Sequence, residues 1–161
     1  MARRIHGDLN AAGKRFAIVA GRFNRPLTEL LVEGAIECLT RHGCPDDAID
    51  VYYVPGSFEL PQMLGMLMSR GGYDAYLALS VLIRGETPHF DYIAGTVTRS
   101  LEHLSVDRGA PVAFGVVTAD TMEQAQARTG VKTSGKGWDA AMSAIEMASV
   151  VDRLGEVSKR P

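Results

Sequence analysis

His89 is the residue whose neighbours best suit proton transfer. It follows Glu86, Thr87 and Pro88 in the stretch RGETPHF, between an apolar run and a helical pattern. An imidazole with a pKa of about 6.5 exchanges protons at neutral pH, and a threonine hydroxyl beside the free amides of a helix start can hold an oxyanion. The local sequence therefore leaves acid–base catalysis and an ordinary surface position as equally good interpretations of His89.

The remaining histidines and both cysteines do not form the pattern of a metal site. His6, His42 and His103 fall in an N-terminal arm, at a helix end and on a helix face, where a histidine is usually structural or solvated. Cys38 and Cys44 have no further ligands at the spacing of zinc sites. We therefore expect no bound metal and two reduced thiols, as is usual in the cytoplasm.

Several common enzyme classes are disfavoured by motifs that the sequence lacks. No G-x-G-x-x-G or G-x-x-x-x-G-K-[ST] follows a strand, so the usual dinucleotide and nucleoside triphosphate cradles are missing. No G-x-S-x-G elbow marks a nucleophilic hydrolase. The 17 basic and 19 acidic residues give a net charge of -2, which does not attract nucleic acid. Acid–base chemistry on a small molecule remains.

The elements that must position these residues alternate between strand and helix. Short apolar runs predict strands, and each is followed by apolar residues three and four positions apart, which predict a helix. This alternation needs crossover connections and therefore a parallel sheet. The pattern predicts an α/β fold, a three-layer αβα sandwich with a four-stranded parallel sheet flanked by helices, as in flavodoxin-like proteins. The predicted strands are Phe16–Ala20, Ile49–Val54, Ala75–Ile83 and Pro111–Thr118, and the predicted helices cover about residues 27–43, 60–70, 90–109, 121–130 and 137–154.

The chain of 161 residues has the length and composition of one globular domain, with 46% hydrophobic and 22% charged residues. Residues 1–14 are polar and predict an arm outside the core, whereas residues 15–161 predict a single α/β domain. No run approaches the roughly 18 apolar residues of a membrane span. We therefore expect a cytoplasmic protein without a membrane partner.

The loops that follow the predicted strands are the expected place for a ligand. Open parallel sheets bind ligands beyond the carboxyl ends of their strands, where loop amides and helix N-termini converge. In this chain these loops are GRFN at 21–24, PGSFE at 55–59, RGETPHF at 84–90 and TADT at 118–121. His89 therefore belongs to a group of loops that the sheet gathers at one edge.

The same loops, with their flanks, form a series of longer motifs. These are GRFN followed by LLVEGA, VPGSFELP at 54–61, IRGETPHFDYIAG at 83–95, FGVVTADTMEQAQARTG at 114–130 and GKGWDAAMSAIEMA at 135–148. In this order and spacing the series resembles the lumazine synthase family. The resemblance implies condensation of 5-amino-6-(D-ribitylamino)uracil with 3,4-dihydroxy-2-butanone 4-phosphate to 6,7-dimethyl-8-ribityllumazine, the penultimate step of riboflavin biosynthesis. It implies neither a metal nor an organic cofactor.

The resemblance assigns the first two loops to the ring and the ribityl chain. Phe23 would stack on the heteroaromatic ring. Ser57, Phe58 and Glu59 match the segment whose backbone amides and carboxylate would hold the ribityl chain. The residues alone leave open that Phe23 is a core side chain and that Glu59 is a solvated carboxylate in a first helical turn.

The third strand would bind the pyrimidine through its backbone. Val81, Leu82 and Ile83 match the family positions that make these contacts. The sequence departs from the family just before them, because Ser80 stands where glycine is usual and Val81 is larger than the usual residue. We expect this departure to alter the fit around the pyrimidine slightly.

The resemblance also assigns the phosphate and the proton transfer. Glu86 and Thr87 match positions that bind the butanone phosphate, and His89 matches the proton-transfer residue. Arg128 matches a phosphate-binding arginine, whose planar fork can hold two oxygens of one anion. The residues alone leave open that Arg128 is a charge placed at the C-terminal end of a helix.

Further matches imply a site shared between subunits. Phe114 corresponds to a pocket residue that a neighbouring subunit contributes, and Lys136 and Asp139 would support the phosphate side, whereas Trp138 between them is expected to pack. The implied assembly is a pentamer or an assembly of pentamers with interface active sites. The segment from Arg128 to Lys136 is about as long as in members that form sixty-subunit shells.

Two other functions stay open on the sequence. A catalytically inert paralogue could keep the fold and serve as a ligand-binding or shell-forming protein. A related riboflavin synthase could instead dismutate the lumazine. The full RGETPHFDY match and the presence of His89, Arg128 and Glu59 favour the lumazine-forming enzyme over both.

Overall fold

The computed structural model describes residues 1–130 and 135–157 of the chain. Its centre is a four-stranded sheet with strand order β2-β1-β3-β4, in which every neighbouring pair is parallel. The strands are β1 Phe16–Gly21, β2 Ile49–Val54, β3 Ala75–Ile83 and β4 Val112–Ala119. The predicted α/β sandwich with a parallel sheet is confirmed. Each strand lies within one or two residues of its predicted bounds.

Helices cover both faces of this sheet. One face carries the first and the last two helices, and the other carries the second and third. Every connection between consecutive strands contains a helix, as parallel strands require. The helices are α1 Arg25–Arg41, α2 Leu60–Arg70, α3 His89–Arg108, α4 Met122–Thr129 and α5 Gly135–Val157.

The core consists of two apolar layers separated by the sheet. All six residues of β1 are buried, and they alternate between the layers, with Phe16 and Ile18 facing α1 and α5 and Val19 facing α2 and α3. A strand that is apolar along its whole length is typical of a parallel sheet covered on both faces. This burial places the ends of the strands, and not their faces, at the protein surface.

The close packing of α1 against α5 depends on Gly137. A Cβ atom at this position would lie 2.0 Å from the carbonyl oxygen of Leu31. The two helix backbones therefore touch, which no residue larger than glycine permits. This contact fixes α5, and with it Lys136 at its start, against α1.

The N-terminal residues lie closer to the core than predicted. The side chain of Ala11 is fully buried, and its amide donates a 2.9 Å hydrogen bond to the carbonyl of His42. The amide of Asp8 donates to Ser149 Oγ at 3.0 Å, and Arg153 pairs with the Asp8 carboxylate at 2.9 Å. The expectation of an arm outside the core was wrong for this part, because polar residues anchor the segment along α5 and allow the small Ala11 to enter the core.

Both cysteines are free and buried. Burial raises the pKa of the Cys38 thiol to about 11 and also raises the pKa of the Cys44 thiol. Within the described ranges 1–130 and 135–157, no three His, Cys, Asp or Glu residues are grouped to hold a metal ion. Over the same ranges, no helix combines the length and the apolar character needed to span a membrane.

Candidate functional site

A largely apolar cavity of about 410 Å³ opens at the carboxyl ends of the strands. The turns after β1, β2 and β3 and the first turns of α3 form its walls, and we call it the β1–β3 cleft. It brings together eight of the residues that the sequence assigned to the site, namely Phe23, Ser57, Phe58, Glu59, Leu82, Ile83, Thr87 and His89. Three separate segments of the chain thus meet in one cleft.

Phe23 stands at the mouth of this cleft and not in the core. Its side chain is 72% exposed, and its amide donates a 3.1 Å hydrogen bond to the carbonyl of Pro55. The next residue, Asn24, has a φ of 57°, in the left-handed region that residues other than glycine rarely adopt. The Asn24 amide group donates to the carbonyl of Val81 at 2.9 Å, which ties this turn to β3. The exposed ring of Phe23 is therefore held on a fixed backbone.

The turn after β2 presents Phe58 and Glu59 to the cleft. Ser57–Glu59 form one 3₁₀ turn, and the Glu59 carboxylate accepts a 2.9 Å hydrogen bond from the amide of Gly56. This bond holds the carboxylate against the turn instead of leaving it free in solvent. Phe58 is 63% exposed, whereas Ser57 is buried and donates to Ser80 Oγ at 2.8 Å.

The end of β3 reaches the cleft through Leu82 and Ile83. Val81 does not line it, because its side chain is buried in the core and its carbonyl already accepts the hydrogen bond from Asn24. Ser80, which replaces the glycine usual in the resembled family, fits without an unpaired hydroxyl because Ser57 lies beside it. Leu82 and Ile83 therefore face the cleft, whereas the buried Ser80 and Val81 support it.

The loop between β3 and α3 brings Thr87 and His89 to the cleft, while Glu86 lies exposed outside its lining. α3 begins at His89, one residue earlier than predicted, so the imidazole occupies the first helical turn. The amide of Asp91 in this turn already donates to the carbonyl of Pro88 at 3.0 Å, so the amides left to bind an anion are those of His89 and Phe90. Among the described residues, no hydrogen bond or ion pair holds the His89 ring. The imidazole is therefore accessible to a bound molecule.

Arg84 fastens this loop from outside the cleft. Its guanidinium donates to Asp120 at 2.8 Å and to Asp91 at 3.1 Å, and it lies 4.5 Å from the ring centroid of Phe90. The hydrogen bonds that the guanidinium donates to both carboxylates raise the pKa of the Arg84 side chain. Because both acids occupy the guanidinium, Arg84 supports the loop that carries His89.

The sequence analysis did not assign Phe90 and Ile93, which line the cleft, or Asn24 and Arg84, which hold its loops. Asn24 had a local signal, because it stands before a proline-containing helix start and asparagine is among the non-glycine residues that tolerate a left-handed backbone best. Arg84 had none, since its partner Asp120 is distant in sequence and meets it only across the β3–β4 pair.

A second, smaller cavity of about 260 Å³ lies at the β4 edge of the sheet. It is lined by Phe114, Arg128 and Lys136, and we call it the β4 cleft. Arg128 Nη1 donates to the carbonyl of Gln124 at 3.2 Å, and Lys136 pairs with Asp139 at 3.5 Å. The Arg128 guanidinium contacts no carboxylate among the described residues and retains donors for an anion.

The structure does not bring the two clefts together within one chain. The cleft with His89 and the cleft with Arg128 have no lining residue in common. Phe114 is 49% exposed at the free edge of β4, although it lies in the middle of that strand. Arg128 and Lys136, which were assigned to the phosphate side, therefore lie in a different cleft from Thr87 and His89.

Trp138 packs, as the sequence analysis expected. Its ring meets His42 edge-on at a centroid distance of 6.0 Å, and Arg41 lies over it. It is partly buried against the layer formed by α1 and α5.

Comparison with known proteins gives the family of this fold and site. The family model for 6,7-dimethyl-8-ribityllumazine synthase matches residues 13–152. The chain belongs to the 6,7-dimethyl-8-ribityllumazine synthase family. It is also similar to the 6,7-dimethyl-8-ribityllumazine synthase of Aquifex aeolicus (strain VF5), with 53% identity over 148 residues, covering 92% of this chain and 96% of the relative.

Membership in the lumazine synthase family confirms the resemblance inferred from the five motifs. The matched range includes every residue that lines either cleft. The chain is accordingly an enzyme of riboflavin biosynthesis, and both clefts belong to the part of the chain that carries the similarity.

Proposed function

We propose that the β1–β3 cleft is where this enzyme condenses 5-amino-6-(D-ribitylamino)uracil with 3,4-dihydroxy-2-butanone 4-phosphate to 6,7-dimethyl-8-ribityllumazine. The observation that carries the proposal is the meeting of an exposed aromatic ring, a carboxylate and an accessible imidazole, Phe23, Glu59 and His89, in one cleft of a lumazine synthase family chain. These three groups match the ring, the polyol and the proton transfers that the reaction requires.

The ring and polyol of the first substrate occupy the Phe23 side of the cleft. The exposed Phe23 ring offers a face for offset stacking on the pyrimidine, worth about 1 kcal/mol. Leu82 and Ile83 present the backbone of β3 to the pyrimidine edge. Glu59 and the amides of its turn receive the hydroxyl groups of the ribityl chain, for which a carboxylate is a strong acceptor.

The phosphate of the second substrate lies near the start of α3. The free amides of the first helical turn and the hydroxyl of Thr87 are suited to an anion, and the helix dipole favours negative charge there. Glu86 matches a family position on the same loop and contributes through its backbone. Among the described residues of the same chain, these neutral donors leave the phosphate charge without a cationic partner in the cleft, since Arg84 is paired with Asp91 and Asp120.

The missing cation comes from the β4 cleft of a neighbouring subunit. Arg128 retains unused donors, and Lys136 stands beside it in the same cleft. The exposed Phe114 would then close the ring side of the neighbour's site. This arrangement supports the pentamer, or assembly of pentamers, implied by the family resemblance. The sequence favoured a sixty-subunit shell because of the length of the segment from Arg128 to Lys136. Residues 131–134 of that segment lie outside the described residues.

The reaction needs a series of proton transfers that the His89 imidazole can serve. The ribitylaminouracil amine attacks the butanone carbonyl and loses water to give an imine. Loss of a proton from the adjacent carbon then expels phosphate. The enol that this elimination leaves tautomerises to a ketone, and attack of the second nitrogen on that new carbonyl closes the ring and releases a second water. His89, next to the phosphate end, accepts and returns protons in these steps.

Positioning supplies the larger part of the rate enhancement. Holding two reactants in the right geometry can contribute up to about 7 to 11 kcal/mol, whereas general acid–base catalysis contributes about 10²- to 10⁴-fold. The two nucleophilic nitrogens and the carbonyl need only to be brought together for the condensation to begin. Loss of the imidazole should therefore slow the reaction without stopping it.

The deciding experiment mixes purified protein with both substrates and follows the absorbance of the lumazine. Each substrate alone serves as the control. Product that forms only with both substrates supports the proposed function. Binding of lumazine or riboflavin without turnover would contradict it in favour of an inert paralogue, and consumption of added lumazine would favour a riboflavin synthase.

We further propose that the enzyme works in the cytoplasm. The two free thiols support this location, because oxidising compartments favour disulfides. Alkylation of both cysteines in freshly lysed cells, after unfolding in guanidinium but without prior reduction, is the expected result.

A further inference from the structure

The Ser57–Ser80 hydroxyl pair is a buried polar contact directly beneath the β1–β3 cleft. Ser57 belongs to the turn that carries Phe58 and Glu59, and Ser80 lies in β3, next to the residues that face the pyrimidine. Ser57 Oγ donates to Ser80 Oγ at 2.8 Å, and the two residues are 6% and 1% exposed. The pair connects the turn to the central sheet at a point that solvent does not reach.

Gly21, at the end of β1, packs closely against both the turn and Ser80. A Cβ atom on Gly21 would lie 3.0 Å from the carbonyl carbon of Gly56 and 3.2 Å from Ser80 Cβ. A larger residue at position 21 would push these neighbours apart by a few tenths of an ångström. The two hydroxyl groups therefore meet where the turn and the sheet are closely packed.

The hydrogen bond also determines what Ser57 can offer a ligand. Its proton is directed into the protein, towards Ser80, and its hydroxyl is buried. The groups of this turn that face the cleft are the exposed Phe58 ring, the backbone and the Glu59 carboxylate, which Gly56 already orients. The Ser57 side chain therefore affects a bound ligand only indirectly, by positioning Phe58 and Glu59 in the cleft.

We propose that Ser57 and Ser80 form a positioning pair that sets the affinity of the cleft for the polyol chain of the ring substrate. The proposal rests on the proposed function, since it concerns the substrate assigned to this cleft. It predicts that the hydroxyl group of Ser57 is not a direct polyol ligand. It also predicts that the hydroxyl of Ser80 matters to a substrate that it does not touch.

A double-mutant cycle with Ser57→Ala, Ser80→Ala and the double variant tests this proposal. Each single variant leaves one buried hydroxyl without its partner, so we expect the dissociation constant of 5-amino-6-ribitylaminouracil to rise about 5- to 20-fold. Replacing both partners by apolar groups removes the unpaired group, so the double variant should return to within about threefold of the original affinity. The measurement is titration calorimetry on the intact assembly.

Two further readouts separate positioning from a general loss of structure. The affinity for 5-amino-6-methylaminouracil, which lacks the polyol, should stay unchanged in the single variants, and so should the KM for the butanone phosphate. Thermal unfolding of each variant reports its stability, and Ser80→Gly replaces Ser80→Ala if the latter does not fold. Equal weakening of both uracils would overturn the proposal.

The pattern of the cycle gives the other decisive outcomes. If Ser57→Ala weakens polyol binding while Ser80→Ala does not, Ser57 is a direct ligand and the proposal is wrong. If the losses of binding free energy in the two single variants add up in the double variant, the proposal is also wrong. An original protein that forms no lumazine would contradict the proposed function, whereas an active original protein with insensitive variants would contradict only the positioning pair.

Discussion

The guanidinium of Arg84 donates a 2.8 Å hydrogen bond to the carboxylate of Asp120, joining the loop after β3 to the turn after β4. The same side chain reaches Asp91 in α3 and covers the ring of Phe90, which lines the β1–β3 cleft. One arginine thus ties together three segments around His89. The loop that carries the proposed proton-transfer residue is therefore held from the side opposite to the substrate.

Replacing Arg84 should affect turnover more than stability. Its ion pairs are exposed and are worth at most about 1 kcal/mol each, so Arg84→Ala should lower the melting temperature by only a few degrees. Because the loop loses its support, we expect kcat to fall about 10-fold through misplacement of His89.

The matched control for Arg84 is Arg41→Ala, and both variants are compared by steady-state kinetics and thermal unfolding. Arg41 also pairs with a carboxylate, Glu37, and also lies over an aromatic ring, but it stands at the end of α1 away from the β1–β3 cleft. An unchanged kcat in Arg84→Ala would show that the contact has no positioning role.

Removal of the His89 imidazole should slow the reaction without abolishing it. For His89→Ala we expect a fall in kcat of about 10²- to 10⁴-fold, because proton transfer contributes that much, while substrate positioning persists. His103→Ala, an exposed histidine of the same helix, is the control and should leave kcat unchanged. Steady-state lumazine formation is the measurement, and an unaltered turnover number for His89→Ala would refute the assignment.

Loss of the Arg128 guanidinium should weaken binding of the phosphate substrate. Charge-assisted hydrogen bonds are worth about 1.5 to 3 kcal/mol, so Arg128→Ala should raise the KM for the butanone phosphate about 10- to 100-fold. The KM for the ribitylaminouracil should change little. Arg128→Lys retains the charge without the planar fork, so its KM for the butanone phosphate should lie between those of the original protein and Arg128→Ala. Arg70→Ala serves as an exposed control, and an equal effect on both substrates would argue against a phosphate site.

Mixing of two defective subunits should restore activity if the two clefts act across subunits. Oligomers formed from equal amounts of His89→Ala and Arg128→Ala chains contain interfaces at which one chain supplies His89 and its neighbour supplies Arg128. Random assembly around a ring makes about a quarter of the interfaces intact, so about a quarter of the original activity should return. Activity no higher than the average of the separate variants would place both residues in one subunit's site.

Both thiols should be unreactive in the folded protein. Because burial raises the pKa of Cys38 to about 11, about one thiol in a thousand is a thiolate at pH 8, and the pKa of Cys44 is shifted in the same direction. Reaction with a chromogenic disulfide at pH 8 should be at least about 100-fold slower than after unfolding in guanidinium. Rapid reaction of one thiol without denaturant would show that its environment opens in solution.

The sequence determined the elements of the fold because their signals are local. The continuous apolar run of β1 and the helical spacing that follows it are readable without knowledge of any partner, and Gly43, with a φ of 98°, stands where a chain must leave α1. The N-terminal segment was the exception. Its polar residues resemble a solvated arm until Ser149 and Arg153 of α5 are placed beside it.

The candidate site divides in the same way between sequence and structure. Residue types and motif order were sufficient to name His89, Phe23 and Glu59, since their chemistry depends on the side chain and the family on the motifs. Only the tertiary structure placed Arg84 against Asp120, turned the hydroxyl of Ser57 inward to Ser80, and put the three named residues in a different cleft from Arg128. These relationships join residues that are distant along the chain, and the packing of parallel strands, not any local preference, decides which of them meet.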